Sequence, residues 1–175
     1  MGWAPVLLQA CLAFLGTAGI MKLATVPASS RQLQSALRWR SVNEGVARTG
    51  IVALSFVECA LAFGGALVPG SFFPILGMLG LLLLVSLAIA KRYILRPGSC
   101  ICFGSLLGQE GSAARWHDLA EIVAITVGAV GSAGEIYGGP APLSLGSKLI
   151  GSVFGLLLVV LTEALVVVQD IRVGM

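Results

Sequence analysis

The chain has 175 residues, 57% of them hydrophobic and 11% charged, and eleven Lys and Arg against eight Asp and Glu leave a net charge of +3. A soluble domain carries about 25% charged residues, so this composition excludes an ordinary cytosolic enzyme and a disordered tail. A charge so small and so scattered also excludes a nucleic-acid binder.

What remains is an integral membrane protein. A helix crossing the hydrocarbon layer needs roughly 20 mostly apolar residues, and five stretches meet that need to different degrees. The first covers about residues 5–23, with Lys22 as its only charge. It lacks the basic start of a secretory signal peptide, although Val26-Pro27-Ala28 imitates a cleavage site, and it is expected to remain in the chain. The second, about residues 50–68, carries Glu58 near its middle, and the third, about residues 72–90, has no charge at all. The fourth, about residues 119–136, is rich in Gly and Ala, with Glu121 near one end and Glu135 near the other; the fifth, about residues 148–168, carries Glu163. Gly64, Gly65, Gly128 and Gly131 let helices approach closely in lipid. Runs of about ten alternating residues, which would mark a barrel, do not occur. The expectation is an all-α integral membrane bundle of five helices forming a single transmembrane domain over residues 1–175.

Basic residues in short loops set orientation. The first connection holds Arg31, Arg38, Arg40 and Arg48 beside Lys22, and the third holds Lys91, Arg92, Arg96 and Arg115. The second and fourth hold no Lys or Arg. This places the N-terminus outside and the first and third connections in the cytoplasm of a cell traversed at its plasma or inner membrane. Ser30 to Arg40 sets Leu33, Leu37 and Trp39 among arginines, which suits either a short amphipathic helix along the membrane surface or a solvated loop.

Four cysteines are present. Cys11 and Cys59 sit inside apolar spans, where a thiol behaves as a small hydrophobe. Cys100 and Cys102 lie just past the third span in Pro97-Gly98-Ser99-Cys100-Ile101-Cys102-Phe103-Gly104, a turn rather than a helix. Two thiols one residue apart meet only if the backbone bends sharply, and a disulfide closed over so short a loop is expected to be strained and easily reduced. Nearby Arg96 and Lys91 favour the thiolate, which is the reactive form. A structural pair and a metal-binding pair are the rival readings, the latter lacking further Cys or His at zinc spacing. His117, the only histidine, offers a proton shuttle near neutral pH, or an interfacial Trp-His belt with Asp118 capping the helix that follows. Ionisable groups within spans are costly and face the bundle interior. Glu58 is the foremost of these and Glu163 the next, with Lys22 and Glu163 as candidate partners for Glu58; Lys22 and Glu121 lie near span ends, where snorkelling is the simple reading.

On these residues the chain resembles the MauE/DoxX-like group of small membrane proteins, named for the methylamine-utilisation protein MauE. Ala18-Gly19-Ile20-Met21-Lys22-Leu23 is similar to the group's Gly-x-x-Lys-Leu, and Phe56-Val57-Glu58-Cys59 to its mid-helix Glu. Cys100-Ile101-Cys102-Phe103-Gly104 matches its Cys-x-Cys-Phe-Gly, and Trp116 opens a fourth helix at a similar interval. Ile101 is bulkier than the residue usual between the cysteines, and His117-Asp118 stands near the place of an Arg-Asn. The resemblance implies a four-helix core plus one helix, and redox handling of thiols on behalf of a client or thioredoxin-like partner. Cys100 and Cys102 would exchange electrons, with Glu58, Lys22, Arg96 and His117 as supporting polar residues. No covalent cofactor is expected, and similarity to membrane thiol oxidases implies a membrane quinone as acceptor. The rival from another class is a non-catalytic accessory subunit that scaffolds a larger membrane complex; a small transporter is disfavoured because no inverted repeat is visible.

Overall fold

A computed structural model describes residues 3–37, 42–67, 72–94, 112–138 and 144–173. Among them are six helices and no strand: α1 (Trp3–Ala24), α2 (Val26–Ala36), α3 (Glu44–Leu67), α4 (Phe73–Ile94), α5 (Ser112–Gly138) and α6 (Leu145–Val173). The all-α bundle read from composition is the fold. Among the described residues four helices are long and apolar enough to cross a membrane: α1, α3, Phe73–Ala90 of α4 and Leu145–Leu165 of α6. The fourth expected span is also one helix, α5, of 27 residues. Its apolar stretch carries Glu121 and Glu135.

Local chemistry fixes where the helices begin and end. Pro27 has no N–H to continue α1 and its ring clashes with the preceding turn, so α1 stops and α2 starts with Pro in its first turn. At the bend, the Thr25 hydroxyl donates to the Met21 carbonyl at 2.8 Å. Asn43 accepts the Gly45 N–H at 3.0 Å to open α3, and the Ser144 hydroxyl accepts the Ser147 N–H at 3.1 Å to open α6. At the far end of α3, the Lys148 ammonium donates to the Ala66 carbonyl at 2.8 Å, a cation on an otherwise unsatisfied helix terminus.

α1 is the axis of the bundle. Two thirds of its apolar window (67%) is buried, against 28%, 22% and 22% for α3, α4 and α6. Its neighbours come close because they present glycine to it: Gly65 of α3 to Leu12, Gly77 of α4 to Leu8, Gly128 of α5 to Cys11, and Gly155 of α6 to Ala13. At Gly131 a side chain would stand 2.9 Å from the Leu8 nitrogen, so the α5 backbone rests on that of α1. These pairings give the directions. α4 and α6 run parallel to α1, while α3 and α5 run antiparallel. The core consists of Leu8, Leu12 and Phe73 toward one end, and Cys11, Phe14, Leu15, Ala18, Leu84, Ala120, Ala124 and Val159 beyond.

The short helix α2 covers the end of the bundle where α1 stops and α3 starts, held by the Gln34 amide donating to the Val42 carbonyl at 2.8 Å. Of the two readings of Ser30 to Arg40, helix holds for its first part. The helix starts earlier than expected, at Val26, because Pro27 initiates it; Trp39, Arg38 and Arg40 lie outside the described residues.

Candidate functional site

The site grows from one glycine. Gly19, on the side of α1 that faces α3, lets the helices approach until an added Cβ would stand 3.0 Å from the Cys59 sulfur, the Glu58 Cβ and the Ser55 carbonyl. Lys22 is one turn further along α1, at a spacing that keeps it near the same face. Its ammonium donates to Glu58 Oε1 at 2.5 Å. Both residues are buried, Lys22 at 2% and Glu58 at 1% exposure. The second carboxylate oxygen, Glu58 Oε2, has no partner among the described residues. One turn before Glu58, the buried Ser55 hydroxyl donates to the Ile51 carbonyl at 2.8 Å, and the Cys59 thiol points to the Gly16 carbonyl at 3.9 Å.

This ion pair answers the question left open for Glu58. The carboxylate turns inward and meets Lys22, not Glu163. Lys22 does not snorkel: α3 supplies an anion inside the bundle, and pairing there satisfies both charges without exposing either to acyl chains. Chemically the pair offers an adjacent proton acceptor and donor in a medium of low dielectric, with one carboxylate oxygen free to take a further hydrogen bond.

Of the other residues singled out in the sequence, Cys100, Cys102 and Arg96 lie outside the described residues. The helices that flank them are placed. α4 runs parallel to α1 and ends at Ile94, and α5 starts at Ser112 and runs back, so both flanks lie at the Lys22 end of the bundle. His117 falls within α5, with its side chain outside the described set. Asp118 does not cap that helix, because α5 begins earlier, at Ser112. Glu121 is buried and engaged, not at the surface, and Glu163 is half-buried. Cys11 and Cys59 are free thiols buried between helices, in line with their reading as packing residues.

Two polar features were not read as functional from the sequence, although Glu135 is noted there near the end of its span. Gln9, 2% exposed, donates through Nε2 to Ser152 Oγ at 3.1 Å and ties α1 to α6. Its signal was a lone amide inside an apolar run. Ser132 and Glu135, one turn apart on α5, are both buried, and Ser132 Oγ and Glu135 Oε1 have no partner among the described residues.

Comparison with family models, with curated proteins and with solved structures finds no match to this chain. The resemblance to the MauE/DoxX-like group therefore rests on the motif residues themselves.

Proposed function

We propose that the chain is a multi-pass membrane thiol–disulfide redox protein of the MauE/DoxX-like kind, in the plasma or inner membrane, with Cys100 and Cys102 as the exchanging pair. One observation carries the reading. Two motifs of the resemblance come together: Gly19 of the first packs against α3, and Lys22 of the same motif pairs with Glu58 of the second, buried at the end of the bundle where α4 ends and α5 begins.

In the exchange, a thiolate of a client or thioredoxin-like partner attacks one sulfur of the oxidised pair, forming a mixed disulfide and releasing the other cysteine as thiolate. The partner's second thiolate then attacks the mixed disulfide. The partner leaves oxidised and the pair remains as a dithiol, two electrons and two protons richer. A membrane quinone, reduced to quinol by the same two electrons and two protons, or a thioredoxin-like disulfide restores the pair; the reverse sequence is a reductase. Loop charge favours the cytoplasmic side for the pair, where thiols are kept reduced, so both directions of flow are open to it and a reductive role is admissible.

Single and double Cys→Ser variants, acid-quenched, alkylated and run on non-reducing gels, test the proposal. Removing the resolving cysteine of the pair traps a mixed disulfide, removing both abolishes it, and Cys11→Ala or Cys59→Ala leaves exchange nearly unchanged. Partner maturation at the wild-type level in the Cys100→Ser/Cys102→Ser chain would replace this reading with that of a scaffolding subunit.

A further inference from the structure

A groove of about 280 Å³ lies between α1, α5 and α6, and its lining includes Trp3, Ala10, Ala124, Val127, Phe154 and Gly155. Its lining includes the small side chains of Ala10 and Ala124, and Gly155 marks where α6 closes onto the α1 backbone at its edge. The lining is almost entirely hydrocarbon, so water gains no hydrogen-bond partners inside it and is not its natural occupant. The rim residues Trp3 and Phe154 are exposed, at 73% and 57%, so the groove opens to the outside of the bundle.

We propose that this groove holds one hydrocarbon chain of a membrane lipid, with the lipid head at the end of the bundle where α1 begins. Three features select this occupant. The outer faces of α1 and α6 at this level are apolar spans, so the medium at the opening is acyl chain. The α1 side of the groove rises from Trp3 to Ala10, about 10 Å at 1.5 Å per residue, and Ala124 and Leu158 carry it on toward mid-bundle. That path is roughly the depth of one leaflet, and the volume suits a chain of roughly ten methylenes at interior packing density. At the mouth, the Trp3 indole pairs an apolar ring with an N–H, the combination that settles at the level of lipid heads. The head would lie at the opposite end from Lys22 and Glu58, so the site is separate from the redox reading and stands or falls without it.

Native mass spectrometry of the full chain, taken from phosphatidylcholine vesicles into mild detergent, tests this. The wild type should retain one phosphatidylcholine per chain. Leu7→Phe and Val127→Phe, which fill the groove from two different helices, should each lower the lipid-bound fraction roughly tenfold. Ile122→Phe, an exposed position on α5 outside the lining, should leave it unchanged. A wild-type chain free of lipid, equal retention in both groove variants, or equal loss in Ile122→Phe would each overturn the proposal. Circular dichroism of each variant separates loss of the site from loss of the fold.

Discussion

Lys22 stands two residues from the end of an apolar helix, where a four-carbon stem ordinarily carries its ammonium out to the headgroups. Here the anion is inside, and the ammonium follows it. Taking both charges out of water is costly, and what sustains the arrangement is that neither is left alone. Glu58→Leu or Lys22→Met alone should therefore destabilise the bundle by about 3–5 kcal/mol, since each strands a buried charge. The double variant should recover most of that loss, because a well-packed apolar pair replaces the ions. Chemical unfolding in micelles, arranged as a double-mutant cycle, checks this; additive losses would mean that the two side chains do not depend on each other. The inward turn of Glu58 was legible in the sequence, because a mid-span carboxylate has nowhere else to go. Its choice of Lys22 over Glu163 was not, because that depends on which helix packs beside α3.

At the scale of the helix, glycine position rather than hydrophobicity decides which faces meet. Gly151 and Gly155 form a Gly-x-x-x-Gly on α6, and an added Cβ at Gly155 would stand 2.8 Å from the Ala13 Cβ and 3.0 Å from the Phe14 nitrogen. Gly155→Leu should push α6 off α1 and lower the unfolding midpoint sharply, by an amount like that of an overpacked core, about 1–3 kcal/mol or more. Gly50 is the counter-example: it lies in α3 with nothing within 4 Å of an added Cβ. Gly50→Ala should stabilise α3 by about 0.5–1 kcal/mol through helix propensity alone. Thermal unfolding of the two variants in one detergent tests both signs. The small residues named from the sequence, Gly64, Gly65, Gly128 and Gly131, do lie at helix contacts. The α6 pair was passed over, because an isolated sequence does not say which glycines of an apolar run face a neighbour.

Over the whole molecule, the arrangement inverts that of a soluble globule. Large apolar residues such as Phe56, Phe63, Leu82, Ile89, Leu149 and Val160 lie exposed, while Gln9, Lys22, Glu58, Glu121 and Glu135 are buried. A surface of this kind is satisfied by lipid, and the interior polar groups pair across helices, as Lys22 with Glu58 and Gln9 with Ser152. The loop-charge asymmetry predicts that the Lys22 end of the bundle faces the cytoplasm. Membrane-impermeant maleimide should accordingly label Cys100 and Cys102 only after intact cells are opened; rapid labelling from outside would reverse the orientation and favour an outward-facing oxidase.

The sequence by itself determined the membrane class, the helical fold and the apolar centre of each of the five spans, because burial in hydrocarbon acts locally. It missed the ends, since α3 begins at Glu44 rather than about residue 50 and α5 at Ser112 rather than about residue 119. Pro27 and the Asn43 and Ser144 caps set the starts of α2, α3 and α6. The sequence also marked Glu58 as inward-facing, by the cost of the alternative. Only the tertiary structure decided that α1 is the axis, that Gly19 brings α3 close enough for Glu58 to take Lys22, and that Gln9 reaches Ser152 on α6. The physical reason is that helices in lipid are not sorted by hydrophobicity, since every outer face is equally apolar. Their order around the axis is set by close packing of small residues and by the pairing of a few polar groups far apart in the chain.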